Sequence, residues 1–194
     1  MKPQIFLFSL LLLSFSCSEK TEKDEFEADE PTYIAPEEQT VQEFVVGDLN
    51  GNGTADVGTL YPPTFTEDGL SCTDDSCIVR IEFADESIPD IRHALSIGGF
   101  IEDLGDLNGD GRAELLYVPD WFQSCWGSMH VYQLGESGWE ESASVSLYWC
   151  EEEFFAERVK YLGDDQIVIL AEIPNDGAVE ERVDTFTLRR FSAY

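Results

Sequence analysis

Residues 105–114 read GDLNGDGRAE, and residues 47–56 form a close copy, GDLNGNGTAD. The two stretches begin at positions 47 and 105, an interval of 58 residues, and the same interval leads to Gly163-Asp164-Asp165. This third copy keeps the start of the motif and a strand-like run, QIVIL at 166–170, but lacks the loop. A motif that returns at equal spacing is the signature of a repeat architecture. The sequence therefore predicts three successive structural repeats.

The two complete copies place oxygen-bearing side chains at loop positions 1, 3, 5 and 9. Alternate residues of a tight turn direct several oxygens at one centre, and Ca²⁺ takes roughly six to eight oxygen ligands. Position 6 is glycine in both loops, where the chain must turn sharply, and position 7 offers a backbone carbonyl. We therefore expect calcium ligands at Asp48, Asn50, Asn52, Thr54 and Asp56 in the first loop, and at Asp106, Asn108, Asp110, Arg112 and Glu114 in the second.

Two other interpretations of these loops are an EF-hand and a simple turn. An EF-hand has a bidentate glutamate at position 12 and continues into a helix. Here position 12 is Thr59 or Tyr117, each inside a strand-like run. A polar β-turn stays open, because Asn-Gly and Asp-Gly also form hairpins. The first loop has Asn52 where the second has Asp110, so we expect it to bind calcium more weakly.

The two loops resemble the FG-GAP/VCBS repeat, the calcium-loop blade of integrin-type β-propellers. In that family an acidic DxDxDGxxD loop opens into an apolar strand. Residues 105–111 match the pattern closely, and residues 47–56 depart from it at Asn52. The resemblance covers each loop and the strand after it, and it implies blade-like antiparallel sheets that bind calcium through these loops.

Strand patterns also fill most of the remaining chain. Short runs with partial alternation and β-branched or aromatic content predict strands at 77–83, 129–134, 143–148, 166–171 and 183–188. Only residues 151–160 (EEEFFAERVK) have a helical spacing.

The expected fold is all-β, with propeller-like antiparallel sheets in about three blade-like repeats. A closed propeller usually needs about four to eight blades, so we do not expect closure. The open edge would be covered by the last strand joining the first sheet, or by self-association.

The first forty residues predict export and anchoring. Residues 1–16 combine Lys2, an apolar run at 5–15 and small residues before Cys17, which is the pattern of a signal peptide. The run is shorter than the ~20 apolar residues that span a bilayer. The sequence LLLSFSC resembles a bacterial lipobox, which implies cleavage before Cys17 and a lipid on its thiol; ordinary cleavage after Ser16 is the alternative. Residues 17–40 are acidic and predict a flexible tether to a β domain over 41–194.

Four further cysteines indicate disulfides. An even number in an exported chain favours a disulfide framework, and four cysteines permit three pairings. We expect Cys72–Cys77 around a short loop and Cys125–Cys150 between two apolar segments. A zinc site is disfavoured, since the spacings do not match CxxC pairs and the chain has two histidines.

The charge of the chain restricts its partners. Acidic residues outnumber basic ones 40 to 11, and the formal net charge is −29. Such a surface repels nucleic-acid phosphates and anionic lipid, and attracts cations and basic proteins. We therefore exclude nucleic acid and do not expect the folded surface to bind anionic membranes. The resemblance to a lipobox implies membrane contact only through the N-terminal lipid, in a bacterial cell envelope.

The sequence contains no recognisable catalytic motif, neither Gly-x-Ser-x-Gly nor His-Glu-x-x-His. His93 and His130 lie far apart along the chain, and each is expected to be a packing or surface residue. Six of the aromatic residues in the range 121–149 are expected to be mostly core, with a sugar- or protein-binding platform as the alternative. These are Trp121, Phe122, Trp126, Trp139, Tyr148 and Trp149.

Two classes of function are compatible with these features. We expect a non-catalytic, calcium-binding lipoprotein that binds a protein or a glycan, for example as an inhibitor of a basic envelope hydrolase such as lysozyme. The alternative is a carbohydrate-active enzyme, a lyase or hydrolase, on a propeller-like scaffold, because fold alone does not decide function.

Overall fold

The computed structural model describes residues 40–67, 71–73, 76–121, 125–149, 154–175 and 178–191, within the unit Ala35–Tyr194. The predicted signal peptide, Cys17, the tether, Phe122 and Cys150 lie outside these residues. No helix in the described ranges is long and apolar enough to cross a membrane. The strands are β1 Gln42–Val46, β2 Asp56–Tyr61, β3 Val79–Phe83, β4 Ile91–His93, β5 Gly98–Gly105, β6 Glu114–Asp120, β7 Trp126–Gly135, β8 Gly138–Tyr148, β9 Val159–Gly163, β10 Gln166–Asn175 and β11 Ala178–Thr187.

The strands form three antiparallel sheets that follow one another along the chain. Blade 1 is β1-β2-β3-β4, blade 2 is β5-β6-β7-β8, and blade 3 is β9-β10-β11. Each sheet has two edge strands, so none closes into a barrel. Gly47, Gly105 and Gly163 lie where the first strand of each blade ends, so one sequence repeat corresponds to one blade. The prediction of an all-β fold with propeller-like antiparallel sheets in about three blade-like repeats is confirmed.

Blade 2 is the middle layer, as strand β6 illustrates. Leu115 and Tyr117 of this strand lie in the core between blades 1 and 2. Leu116 and Val118 lie in the core between blades 2 and 3, and all four side chains are fully buried. A strand covered on both faces is expected to read as a continuous apolar run. Each large side chain buried in this way contributes about 1.5–3 kcal/mol relative to an exposed one.

The helical spacing of residues 151–160 does not produce an α-helix in the part of this segment that the structure describes. Only Phe155–Arg158 forms a turn of 3₁₀-helix, and Val159–Gly163 is strand β9. The carboxylate of Glu102 accepts the backbone N–H groups of Phe155 at 3.0 Å and Ala156 at 2.7 Å. The fully buried Phe155 side chain and this acceptor on a distant strand fix a short turn, which helical spacing cannot anticipate.

The last strand does not complete the first sheet, as one expectation had it. In the described structure β11 pairs with β10 along its whole length, from Gln166↔Thr187 to Asn175↔Ala178. β11 therefore pairs with β10 in a local hairpin. This pairing closes a shorter loop than pairing with a strand of blade 1 would.

The predicted Cys72–Cys77 disulfide is present. Both cysteines are buried, and they pack with Ile97 and Phe65 in a small separate cluster. Cys125 is also disulfide-bonded. Its predicted partner, Cys150, lies outside the described residues.

The aromatic residues between 121 and 149 divide into core and surface. Trp149 packs edge-on against Phe100 and Phe155, with ring centroids 5.5 and 5.1 Å away. Trp139 packs beside the core between blades 1 and 2, where its indole N–H donates to the carbonyl of Pro89. Trp121 and Trp126 are instead exposed. The aromatic cluster is therefore not a single platform.

Candidate functional site

The two acidic loops occupy equivalent places and contact each other. Loop 1, residues 47–55, joins β1 to β2, and loop 2, residues 106–113, joins β5 to β6. The backbone N–H of Ala113 donates to the carbonyl of Asp48 at 2.7 Å. A Cβ placed on Gly51 would lie 3.5 Å from the carbonyl oxygen of Gly111. The loops therefore form one connected region at the junction of blades 1 and 2.

Both loops have the same backbone conformation. Positions 4 and 6 have left-handed φ angles, 79° and 89° at Gly51 and Gly53, and 74° and 90° at Gly109 and Gly111. Side chains other than glycine rarely adopt these angles. The repeated glycines are thus required by the turn itself.

The carboxylate at position 1 organises each loop. In loop 2, Asp106 Oδ1 accepts the N–H groups of Gly109 at 2.7 Å and Asp110 at 3.0 Å, and Oδ2 accepts that of Gly111 at 2.9 Å. Asp48 makes the same three hydrogen bonds in loop 1, at 2.7, 3.0 and 2.6 Å. Each carboxylate thereby gathers three main-chain donors around itself.

Positions 3 and 5 repeat the same pattern. Asn108 Oδ1 accepts the N–H of Asp110, and Asp110 Oδ1 accepts the N–H of Arg112, both at 3.0 Å. In loop 1 the amide oxygens of Asn50 and Asn52 accept the N–H groups two residues further on, at 3.1 and 2.8 Å. Asn52 and Asp110 are therefore geometrically equivalent although their charges differ.

Position 9 places a carboxylate beneath each loop. Glu114 is 2% exposed and Asp56 is 4% exposed. Each accepts the N–H of position 2, from Leu107 and Leu49 respectively, at 2.8 Å. Burial raises the pKa of Glu114 to about 7, and the charges of Asp110 and Asp106 add to the rise. Burial also raises the pKa of Asp56. The ionised carboxylates of each loop therefore destabilise the folded protein unless a cation balances their charge.

Residues outside the loops orient the asparagines. Asn50 Nδ2 donates to Asp85 Oδ2 at 2.9 Å, and Asn52 Nδ2 donates to the same oxygen at 3.3 Å. In loop 2, Asn108 Nδ2 donates to the carbonyl of Arg189 at 2.7 Å. Each amide group is held through its nitrogen, which leaves its oxygen for the loop. Such outer partners commonly orient the ligands of metal sites.

Asp85 is a residue that sequence reasoning missed. It lies in the turn between β3 and β4, 33 residues after Asn52, and no loop motif extends so far. Its pKa is lowered by the backbone N–H and the hydroxyl of Ser87 and by the amides of Asn50 and Asn52. Asp85 supplies loop 1 with a negative charge that its ligand positions lack.

The position 7 residues have unequal side-chain roles. Thr54 Oγ1 donates to Asn52 Oδ1 at 2.5 Å, inside its own loop. The buried Arg112 donates from its guanidinium to the carbonyl of Leu134 at 2.7 Å, so it ties loop 2 to strand β7. Their backbone carbonyls remain the predicted ligands.

The donor chemistry of both loops fits a hard cation. Among the described residues, no three His, Cys, Asp or Glu side chains lie close enough together to hold a metal on their own. The loops instead combine carboxylate, side-chain amide and main-chain oxygens. Oxygen donors of these three kinds are those that Ca²⁺ prefers.

The structure brings together the two histidines that the sequence keeps apart. His93 of blade 1 and His130 of blade 2 have ring centroids 4.6 Å apart. His93 Nδ1 lies 3.1 Å from Tyr132 Oη, and His130 Nδ1 lies 3.2 Å from Glu141 Oε2. Burial lowers the pKa of His93 to about 4 and also lowers that of His130. Both imidazoles are therefore neutral at pH 7.

His130 also links a serine to a carboxylate. Its Nε2 lies 2.7 Å from Ser128 Oγ, while its Nδ1 faces Glu141. The order serine, imidazole, carboxylate is that of a hydroxyl nucleophile beside a general base. Ser128 and His130 are two residues apart on β7 and so share one face of the strand. This spacing was the only local signal of the arrangement.

The resemblance of the two loops to the FG-GAP/VCBS repeat stays a prediction. Their position between the first and second strands of a blade is compatible with it. Comparisons of the chain with protein-family models, with curated proteins and with solved structures find no match.

Proposed function

We propose that this protein is a calcium-stabilised, lipid-anchored binding module of the bacterial cell envelope, which captures a basic protein or a glycan without catalysis. The main support is the pair of matched acidic loops that meet at the junction of blades 1 and 2. Calcium would be held by the oxygens of these loops, where it would offset the charges of Asp106, Asp110 and Glu114 in loop 2. The ion would then stabilise the contact between blades 1 and 2 and hold the surrounding surface in one conformation.

The distribution of basic residues supports a cationic partner. Residues 44–194 contain thirty acidic and eight basic residues. Five of these basic side chains pair with acids of the same chain, and Arg112 is buried. Surface pairs of this kind add little stability. Their consequence is that most of the positive charge is neutralised internally, so the outer surface is dominated by carboxylates.

A cleft beside loop 1 offers a place for such a partner. Its volume is about 630 Å³, and its lining includes Asn50 and Asn52 of loop 1, the carboxylates of Glu86 and Glu136, and Arg112, whose guanidinium donates to the carbonyl of Leu134. Glu86 comes from blade 1, while Glu136 lies in the turn between β7 and β8 of blade 2. Complementary charge raises association rates and makes binding sensitive to salt.

We expect lysozyme, as a basic probe protein, to bind the full exported chain in calcium and to dissociate as the salt concentration rises. Isothermal titration at 50 mM and 500 mM NaCl measures this. The double variant Glu86→Gln/Glu136→Gln should weaken binding by about fivefold, the effect of two partly screened charges.

Glu157→Gln/Glu181→Gln makes the same charge change on exposed residues of the blade 3 region and should leave the affinity unchanged. An acidic protein of similar size should not bind at all. Binding of lysozyme that ignores both salt and the Glu86 and Glu136 substitutions would contradict the proposed surface. If the protein binds glycans but not lysozyme, the ligand in the proposed function is a glycan and not a basic protein.

We expect Cys17→Ser to move the protein from the membrane fraction to the soluble fraction, because acyl chains on that thiol would provide the anchor. Immunoblots of fractionated cells measure the distribution. Cys72→Ser and Cys77→Ser together leave the anchor intact and serve as the control. A Cys17→Ser protein that still pellets with membranes after a salt wash would contradict lipid anchoring.

A second candidate is a carbohydrate-active hydrolase, and the chain Ser128, His130 and Glu141 favours it. Such a site would remove acyl groups from a glycan: the serine oxygen would attack the ester carbonyl while the imidazole takes its proton, and the glycan hydroxyl would leave with that proton as the ester bond breaks. Water would then release the acyl group from the serine as a free acid. Calcium-independent hydrolysis of an acetylated glycan that is lost in Ser128→Ala would favour this candidate over the binding module.

A further inference from the structure

A pocket of about 350 Å³ lies where β6 ends and β7 begins, away from both acidic loops. Trp121 and Trp126 line it and are 41% and 49% exposed. Leu95, also in the lining, is 68% exposed. Its polar lining residues are Asp120, Ser128 and Ser146, and no Lys or Arg contributes to the described lining.

The leucine is held outward against its own conformational preference. Leu95 has a φ of 57°, in the left-handed region that residues other than glycine rarely occupy. Its N–H donates to the carbonyl of Ser76 at 2.8 Å, and the N–H of Ser96 donates to the carbonyl of Cys77 at 3.0 Å. The Cys72–Cys77 disulfide closes the loop that provides both acceptors. Strain that surrounding structure maintains is often found at binding sites.

We propose that this pocket binds the side chain of a lysine or arginine presented by a basic partner. Such side chains combine an apolar stem with a cationic end. Leu95 and the two indoles offer apolar contact to the stem. The faces of the indole rings and the Asp120 carboxylate offer cation–π and charge contacts to the cationic end.

The groups that contact the lining residue Ser128 do not oppose a positive charge in the pocket. Ser128 Oγ lies 2.7 Å from His130 Nε2, and burial lowers the pKa of that imidazole, so it is uncharged at pH 7. Glu141 on the far side of His130 adds negative charge. The field of the whole domain also concentrates cations at its surface. This inference rests on the proposed capture of a basic protein, and it adds a second contact, distinct from the cleft beside loop 1.

The test compares three small probes added to the full exported chain, followed through the indole N–H resonances by NMR. The probes are Nα-acetyl-lysine amide, the isosteric but neutral Nα-acetyl-norleucine amide, and N,N′-diacetylchitobiose. We expect only the lysine probe to shift the signals of Trp121 and Trp126. Asp120→Asn and Trp126→Leu should each weaken its binding by about threefold, the size of an exposed cation–π or charge contact.

Leu95→Gly is the most informative variant, because glycine accepts the left-handed backbone and folding is not endangered. Its binding should fall while its unfolding midpoint stays the same or rises. Phe154→Ala removes a comparably exposed aromatic side chain near blade 3 and should change nothing.

Equal shifts with norleucine would overturn the proposal in favour of a purely apolar pocket, and shifts with the chitobiose alone would overturn it in favour of a sugar site. Indole signals that no probe moves would overturn it as well. If lysozyme binds the parent and Leu95→Gly equally well, the pocket proposal fails while the proposed function stands. If the lysine probe binds but lysozyme does not, the pocket proposal stands while the proposed capture of a basic protein fails.

Discussion

EDTA should lower the melting temperature of this protein by about 5–10 °C, and an excess of Ca²⁺ should restore it. A ligand that binds only the folded state stabilises it by about 2.7 kcal/mol when its concentration is a hundred times its Kd. The physical reason lies in loop 2, where the buried Glu114 has a pKa raised to about 7 by burial and then by Asp110 and Asp106. Mg²⁺ should substitute poorly, because it requires a tighter octahedral arrangement. Differential scanning fluorimetry measures each shift.

The third blade provides a matched control for this experiment. Asp106 and Asp164 both follow the glycine that begins the motif, but the turn at Asp164 has no loop after it. Asp106→Asn should remove most of the calcium response, and Asp164→Asn, with the same charge change, should remove none. Asp48→Asn should remove a smaller share, because loop 1 has one carboxylate fewer at its ligand positions.

Metal analysis must accompany the melting curves. A protein that contains calcium at the start and melts at the same temperature with and without EDTA would show that the loops serve only as turns. Loss of the response in Asp164→Asn as readily as in Asp106→Asn would show that the response comes from overall charge.

The second large effect should come from pH. Burial lowers the pKa of His93 to about 4 from an ordinary value of 6.5, and the neighbouring His130 lowers it further while Glu141 raises it. Between these two values the unfolded chain binds a proton that the folded protein excludes. The stability contributed by neutral His93 is therefore complete above pH 6.5 and is lost as the pH falls towards 4. After allowance for partial exposure, the loss should be about 2 kcal/mol.

The measurement is the free energy of unfolding in urea at pH 7.5 and pH 5, with EDTA throughout. Acid also relieves repulsion among the many carboxylates, so the histidine effect is the difference between the parent and His93→Phe. Phenylalanine keeps a ring against Tyr117, whose centroid lies 5.1 Å from that of His93, but it cannot titrate. We expect the parent to lose more stability than the variant on acidification. Equal losses would contradict a role for His93.

The sequence predicted features that are encoded locally. The loops were identified because ligand positions, glycines and the following strand lie within about a dozen consecutive residues. The strands at 129–134 and 143–148 were recognised from their composition and lie within β7 and β8. The interval of 58 residues gave the number of blades, because each repeat forms one sheet with its own hairpins.

Features that depend on contacts between segments far apart in the sequence were not predictable. Asp85 and Asn50 are brought together by the turn between β3 and β4, and His93 meets His130 across two sheets. The helical spacing of residues 151–160 was overridden by Glu102 and by the core that receives Phe155. Calcium binding and lipid attachment are chemical predictions that the experiments above test.

The two apolar faces of blade 2 also bear on how such a chain can change in length. A middle sheet needs a neighbour on each side, whereas β2 in blade 1 alternates buried residues with exposed or half-buried ones, as a terminal layer does. Duplicating blade 2 would insert a unit whose faces resemble those it meets, so tandem duplication at this point is structurally tolerable. Deleting blade 2 would bring together two surfaces that never met. Growth by duplication should therefore be easier at the centre of this protein than at either end.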